Sequence, residues 1–378
     1  MDDTTKHIAD GQIRGDLSNE ERDILHEVGF DDPGSRAATG VLADHKMKIA
    51  LSNDPGVEIM PLAAALRTYE FVQDLMFGLV DRDANAHISL VAEHMHDPLG
   101  HFIWVKPGAK VSLPVQSFSL LETPQARQFT HDITLIDEGA EVDMISGAAV
   151  PSSVHRGRHI SIGETYMRAG ASCKSVTIEH WGTDMEVYSY GYCHMGPGTR
   201  NDSTGIMMAP IAHHTSRSHT VLEADAKATS QAIVFAPEGT HRVIETETQL
   251  SAPGATSEDV ARMVSAGGQI VNNALLIGGA SGTNGFLGCD GLKLSDVGEI
   301  IAVPALRAIA EGAMLSHEAS VGMIDSNKLT YLMAAGLDED AARNLIIRGF
   351  LSLDDSAIPE RLQDRVTAMI AQAKSGGM

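Results

Sequence analysis

The middle of the chain, from about residue 86 to residue 320, alternates apolar and polar positions in short runs. Successive runs read HISLVAE, HFIWV, VSLPVQSFSLL, DITLID, EVDMIS, HISIGETYM and SVTIEHW. Alternation with a period of two predicts β-strands. A turn after about every eight to twelve residues predicts a sandwich, a barrel or a β-helix. The fold is therefore expected to be mainly β.

The segments between these runs share a motif in which Gly-Ala precedes the next strand. It occurs in KPGAKV, DEGAEV and RAGASC. Glycine allows the positive φ that a tight corner requires, and a coil of short parallel strands repeats such a corner at every turn. We therefore favour a parallel β-helix over a sandwich. One segment departs from the pattern, because the polar start of TSEDVARMVSAGG predicts a short helix over 256–268.

Helical patterns precede the β region. Ser18 and Glu21 form a predicted capping box at the start of one helix. Pro61 begins another, in which the apolar residues recur at helical spacing. These are Leu62, Leu66, Tyr69, Val72 and Phe77. Between the two helices, the segment 31–40 (DDPGSRAATG) is a predicted turn-rich linker.

Helical patterns also follow the β region. The runs DSNKLTYLMAAG, DEDAARNLIIRGF and PERLQDRVTAMIAQAK predict three helices after residue 322. Asp325 or Ser326 caps the first and Asp338 caps the second, and Pro359 lies in the first turn of the third. The expected blocks are an N-terminal helical region (1–85), a β-helix core (86–322) and a C-terminal helical region (323–378).

The composition narrows the class of protein. The 378 residues include 28 Lys and Arg against 50 Asp and Glu, a net charge of −22. This charge disfavours nucleic acid or an anionic membrane as a partner, because phosphate binding requires clustered basic residues. The chain has no apolar stretch of about 18 residues and no signal-peptide pattern. Its three cysteines are too few for a disulfide framework. We therefore expect a cytoplasmic protein.

Several common catalytic motifs are missing from the sequence. It contains no GxxxxGK[ST], CxxC, HExxH or GxSxG. Their absence argues against P-loop nucleotide hydrolysis, dithiol redox chemistry, zincin-type proteolysis and serine hydrolysis. GPGTRND (196–202) is rich in glycine but lacks dinucleotide-binding spacing, so it is read as a turn.

The first candidate for metal chemistry combines Cys289 with His317 and Glu318. Thiolate, imidazole and carboxylate all ligate iron or zinc, and thiolate is the usual ligand of iron–sulfur clusters. The two pieces are 28 residues apart, a separation of one or two turns of a β-helix. The alternative is a buried, unreactive cysteine and a surface His-Glu pair.

Histidines supply the second group of candidates. If His94, His96 and His101 lie on a strand and its neighbourhood, they could bind a metal as in a cupin-like enzyme. The turn that follows at 97–100 favours a solvated polar loop instead. His213, His214 and His219 could hold a metal or phosphate, but the polar composition of HHTSRSH predicts a polar loop. Cys193 stands beside His194, a neighbour that would lower the pKa of its thiol.

Four stretches of the sequence resemble the SufB/SufD family, the scaffold proteins of the SUF system of iron–sulfur cluster assembly. They are GHFIWVKPGAKVSLPVQSF (100–118), DITLIDEGAEVDMISGAAVP (132–151), HRGRHISIGETYMRAGASCKSVTIEHW (155–181), and GCDGLKLS (288–295) with LSHEASVGMIDSNKLTYLMAAGLDEDAARNLIIRGFL (315–351). The separation of the CD-x-x-L and HEA segments is also similar to that in the family. The likeness spans roughly residues 56–255 and 275–365.

The resemblance implies a right-handed parallel β-helix and a scaffold that is not itself an enzyme. Family members dimerise through their β-helices, with themselves or with a SufB/SufD paralogue, and bind the SufC ABC-type ATPase through the C-terminal helical region. By position, Cys289 matches the cysteine that holds a transient iron–sulfur cluster, and His317 and Glu318 match residues near it. Recipient apoproteins then accept the cluster.

The chain departs from the family pattern at Ala148. Bacterial SufB carries a sulfur-accepting cysteine in the matching segment. Cys193, or sulfide delivered directly, would have to take its place. Three hypotheses follow: an iron–sulfur assembly scaffold, a metal-dependent cupin-like enzyme, and a β-solenoid interaction protein without metal.

Overall fold

The computed structural model describes residues 12–294 and 296–351. The N-terminal elements are β1 (Ile13–Arg14), α1 (Asn19–Glu27), a 3-10 turn (Pro33–Ser35), β2 (Ala38–Ala43), β3 (Lys46–Ser52), β4 (Val57–Pro61), α2 (Leu62–Thr68), α3 (Glu70–Leu75) and α4 (Ala86–Ala92). The strands that follow are β5 (His101–Val105), β6 (Val115–Leu120), β7 (Arg127–Ile136), β8 (Glu141–Ala149), β9 (Arg156–Met167), β10 (Ser172–His180), β11 (Asp184–Met195), β12 (Arg200–Met207), β13 (His213–Leu222), β14 (Lys227–Pro237), β15 (His241–Leu250), β16 (Thr256–Ala266), β17 (Gln269–Gly278), β18 (Asn284–Lys293), β19 (Glu299–Ala308) and β20 (Met314–Met323). Helices α5 (Ser326–Ala334) and α6 (Glu339–Phe350) end the described chain.

The strands β5 to β20 form a parallel β-helix of about eight turns, as predicted. Even-numbered strands from β6 onward lie side by side in one sheet, here sheet A, and odd-numbered strands from β5 onward lie in sheet B. One turn, a rung, contains one strand of each sheet. Gly139 and Gly170 turn two of the corners at φ +63° and +67°, a backbone conformation that side chains with a Cβ rarely adopt.

The chain before the solenoid contains strands as well as helices. Strand β2 extends sheet A beside β6, β3 pairs antiparallel with β2, and β4 pairs antiparallel with β5 of sheet B. The predicted capping box of α1 is confirmed, since the Ser18 hydroxyl accepts from the Glu21 amide at 3.1 Å. The helix predicted from Pro61 is interrupted at Tyr69, whose backbone is extended (φ −124°, ψ 114°). The predicted linker 31–40 contains the 3-10 turn and the start of β2.

Two predictions of local structure were wrong. The segment 256–268 forms β16, paired parallel with β14 and β18, because Ala261 and Met263 point into the interior and Val264 packs on the outer face. HISLVAE contains α4 instead of a strand. Asn85 caps this helix, and its side chain accepts from two backbone amides.

Helices cover the outer faces of the solenoid. Apolar residues of sheet A, such as Ile178 and Val264, belong to one cluster with Leu25 of α1 and Ile347 of α6. Asp325 and Asp338 cap α5 and α6 as predicted. The third predicted helix, which begins at Pro359, lies outside the described residues. In the part of the chain that the structure describes, no helix is both long and apolar enough to cross a membrane.

Candidate functional site around Cys289

The last rung, formed by β19 and β20, ends the solenoid. These strands are the terminal members of sheets B and A, so within residues 12–294 and 296–351 no further strand pairs with their outer edges. We call residues 297–323 the open end. Its exposed large apolar side chains are Val297, Ile301, Val303, Leu306, Ile309, Met314, Val321 and Met323. Unpaired edges and exposed apolar side chains together are features of an interaction surface.

Cys289 lies in β18, one rung before the open end. Its side chain is 1% exposed and packs in the interior with residues of both sheets. The side-chain amide of Asn272, in β17, donates to Cys289 Sγ at 3.3 Å. Burial raises the pKa of the Cys289 thiol to about 11, although the hydrogen bond from Asn272 acts in the opposite direction. In this arrangement the thiol is protonated near pH 7.

A cavity of about 10 Å³ adjoins Cys289, enough for one water-sized group. Its polar lining consists of Thr246, Asp259, Asn272 and Cys289. Burial raises the pKa of Asp259 to about 6, while hydrogen bonds with Thr246 and Ser230 act against this rise. The cavity therefore places a carboxyl group and an amide beside the thiol.

Only small side chains separate this cluster from the open end. In the strand register, Cys289 is followed by Ala319 of β20, and Asn272 is followed by Ala302 of β19. Neighbouring strands are about 4.8 Å apart. The thiol and the amide thus lie one rung below a surface at which alanine covers each of them.

Of the two predicted partners of Cys289, only His317 lies on the same inward face. Successive residues of a strand point to opposite faces, so His317 shares the inward face with Ala319 whereas Glu318 points outward. His317 pairs with Leu287 in the register and lies two residues, about 6.6 Å, along the strand from the level of Cys289. Both side chains are exposed. No group of three or more His, Cys, Asp or Glu able to hold a metal occurs among the described residues.

The other cysteines are interior residues of the solenoid. Cys173 of β10 is buried, and Cys193 of β11 packs against the same cluster. Burial raises the pKa of Cys193 to about 12. The expected lowering by His194 was wrong, because His194 points to the outer face, where its Nε2 lies 3.1 Å from Glu223. The Cys193 thiol is therefore un-ionised at neutral pH.

The histidines predicted as alternative ligands occupy separate environments. His94 and His96 lie in the turn after α4, and His94 Nδ1 lies 2.9 Å from the Leu90 carbonyl oxygen. His101 is buried in β5, with its Nδ1 2.9 Å from Asp132 Oδ1. This arrangement does not favour the cupin-like site.

The histidines of HHTSRSH lie in strand β13, and the polar loop predicted for them was wrong. His213 and His219 point to the outer face, where His213 Nδ1 lies 3.1 Å from His241 Nδ1. His214 points into the interior and accepts from Arg242 at 2.7 Å. The strand therefore separates His214 from its two neighbours.

Sequence reasoning missed Asn272 and Asp259. The helix predicted over 256–268 gave Asp259 no inward position, and Asn272 stands in a polar dipeptide, NN, that carries no motif. The alternation of inward and outward residues along 256–278 could have revealed both. It places Asp259 and Asn272 on the inward face that Cys289 also occupies.

Comparison with known proteins identifies the family. A family model described as "SUF system FeS cluster assembly, SufBD core domain" matches residues 119–350. A SufBD family protein of Archaeoglobus fulgidus is 30% identical over 95% of this chain and 98% of its own length. Another, from Methanothermobacter thermautotrophicus, is 28% identical over 96% of this chain and 89% of its own. The assembly protein SufB of Bacillus subtilis is 24% identical over 69% of this chain and 57% of its own. The chain therefore belongs to the SufBD family of iron–sulfur cluster assembly proteins.

Proposed function

We propose that this protein is a scaffold on which an iron–sulfur cluster is built at a dimer interface, with Cys289 as a cluster ligand. The observation that carries the proposal is the position of Cys289 one rung below the open end. Iron and sulfide are the cargo of this reaction. Cys289 supplies a thiolate, His317 an imidazole on the same strand face, and Glu318 a carboxylate on the outer face.

A partner subunit would complete the ligand set. One chain offers a single cysteine near the open end, whereas iron–sulfur clusters are usually held by several ligands. A second copy of this chain, or a SufB/SufD paralogue, docking on the unpaired edges of β19 and β20 would bring another set of ligands to the same place. The exposed apolar side chains of the open end favour such docking. Release to recipient apoproteins would follow when the interface opens.

The C-terminal helices support a second contact, with a SufC-like ABC ATPase. Helix α6 is anchored on sheet A through the buried Ile347, which packs in one cluster with Ile178 and Val264. Tyr331 of α5 is 74% exposed, and the other exposed apolar side chains of this region are Met333, Leu337 and Leu345. An anchored helix pair with an apolar outer surface suits an ATPase whose movement opens the scaffold. ATP hydrolysis then belongs to the partner, and the scaffold is not an enzyme.

Sulfur would have to reach the cluster site by a different route from that in bacterial SufB, which carries a cysteine in the segment matching position 148. Ala148 is buried in β8 and has no sulfur-accepting group. Cys193 is the other candidate acceptor, but its raised pKa requires that its surroundings change before it can attack a sulfur donor. Sulfide delivered directly to the open end needs no such step.

Anaerobic reconstitution with ferrous iron and sulfide tests the proposal. We expect visible cluster absorbance in the wild type and a loss of at least about tenfold in bound iron in Cys289→Ser, since a ligand is removed. Cys173→Ser, which changes a buried interior thiol remote from the open end, is the matched control and should retain the cluster.

The contact with the ATPase is tested separately. Tyr331→Asp should abolish copurification with a SufC-like ATPase but leave the reconstituted cluster intact.

The contrary outcome is equally definite. If Cys289→Ser retains the cluster, Cys289 is not its ligand and the proposed site is wrong. Metal lost in His94→Ala/His96→Ala but kept in Cys289→Ser would instead support the cupin-like alternative.

A further inference from the structure

Asn272 is a buried amide whose side-chain hydrogen-bond partner is the sulfur of Cys289. It is 2% exposed and points into the solenoid from β17, while Cys289 points inward from β18 in the opposite sheet. The Nδ2–Sγ distance is 3.3 Å. Burying an amide is costly unless it is hydrogen-bonded, so this position requires a partner, and the structure provides a sulfur atom.

The surroundings give the amide a specific role toward a thiolate. Apolar side chains dominate the lining of the cavity beside Cys289; they are Ala232, Ile244, Ala261, Ala274 and Leu287. Of the polar lining groups, Asp259 carries a carboxylate that repels negative charge on sulfur, and Thr246 is hydrogen-bonded with Asp259. The N–H of Asn272 is therefore the group positioned to stabilise negative charge on Cys289.

We propose that Asn272 is a positioning residue that donates an N–H···S hydrogen bond to the Cys289 thiolate while a cluster is bound. The proposal rests on the proposed function, because it assumes Cys289 as ligand. Ala302 and Ala319 cover the amide and the thiol at the open end. The sulfur thus lies between the interface, where a cluster would bind, and the amide donor inside the solenoid.

The hydrogen bond has two consequences for a bound cluster. It fixes the direction of the sulfur lone pairs, as partners of metal ligands generally do. It also stabilises negative charge on sulfur, and a reduced cluster carries more of that charge than an oxidised one. Without the donor, the cluster should be lost faster and its reduction potential should be more negative.

The test compares Asn272→Leu and Asn272→Ala with Asn273→Ala after anaerobic reconstitution with ferrous iron and sulfide. Leu preserves the volume of the side chain, Ala does not, and both lack the donor. Asn273 is the next residue of the same strand and points to the outer face, so Asn273→Ala controls for disturbance of β17. Circular dichroism of the apoproteins checks that each variant is folded.

We expect both Asn272 variants to lose iron to a chelator about tenfold faster than the wild type, with a more negative midpoint potential, and Asn273→Ala to match the wild type. If wild type and Asn272→Leu have equal potentials and loss rates, the inference is wrong while the proposed function stands. If only Asn272→Ala differs, packing is the cause and the inference is again overturned. If the wild type binds no cluster through Cys289, the proposed function fails first.

Discussion

At the N-terminal end of the solenoid, antiparallel strands and helices cover the first rung, whereas at the other end the last rung faces solvent. Strand β4 runs against β5, β3 runs against β2, and α2 and α3 pack on the outer face of sheet B. The strands β19 and β20 have no such cover among the described residues, and their apolar side chains are exposed.

This difference indicates separate roles for the N-terminal and C-terminal ends of the solenoid. Proteins normally protect a sheet edge because an unprotected edge pairs with other chains. One end of this molecule carries that protection and the other carries a thiol one rung below the surface. We therefore expect the N-terminal end, here the closed end (β1 to β4, α2 and α3), to contribute stability, and the open end to provide the dimer surface that the proposed function requires.

Replacing Glu164 should have the largest effect and should act through the closed end. Its buried carboxylate accepts from the amides of Phe77 and Leu79 and contacts His131 Nε2, each at 2.7 Å. Glu164→Ala leaves these groups without an acceptor, so we expect a loss of about 3–5 kcal/mol in the free energy of unfolding. Urea denaturation measures it.

Glu186 provides the control for Glu164. It lies on the same outer face of sheet B but is part-exposed, and accepts from Arg158 Nε at 2.8 Å. Exposed ion pairs contribute only about 0.2–1 kcal/mol. Equal losses of unfolding free energy in Glu164→Ala and Glu186→Ala would show that the buried carboxylate of Glu164 contributes no more stability than the part-exposed one of Glu186.

His159 should make the solenoid sensitive to acid. Burial lowers the pKa of this interior histidine to about 4, and its Nδ1 lies 2.8 Å from Gln128 Oε1. An unfolded histidine titrates near 6.5. The buried, neutral His159 therefore makes its full contribution to stability above pH 6.5. As the pH falls toward 4, the free energy of unfolding should decrease by about 3 kcal/mol. Denaturation of wild type and His159→Gln across this range should show a shallower pH dependence in the variant.

The exposed His155 is the matched position for this measurement. His155→Gln should follow the wild-type pH dependence. A His159→Gln variant that loses stability in acid as steeply as the wild type would assign the effect to other groups.

The sequence predicted the solenoid better than its interior. Corner glycines and the caps at Asp325 and Asp338 act locally, so they are readable from a few neighbouring residues. The segment 256–268 was misread because inward positions of this solenoid include polar residues such as Asp259, which hides the alternation of a strand. A short run of this kind suits helix and strand equally until its neighbours are known.

The candidate site was predictable only in part, for a related reason. Cys289 and His317 were first selected as residues able to ligate a metal, and the resemblance of their segments then favoured them over the histidine groups. The role inferred for Asn272 depends on its register with Ala302 and on the approach of the opposite sheet. Those are long-range properties of the folded chain, and 17 residues separate Asn272 from Cys289 in the sequence.

A substitution at the open end should change the stability of the monomer least among these variants. Val303 of β19 is 50% exposed, so Val303→Lys should change the free energy of unfolding of the monomer by less than about 0.5 kcal/mol. In a dimer built on β19 and β20, the same change buries a charge and should weaken association by about 2 kcal/mol. Light scattering after gel filtration measures this, with Thr68→Lys on α2 as the control that adds the same charge at the closed end. A dimer that survives Val303→Lys and dissociates in Thr68→Lys would reverse the roles of the two ends.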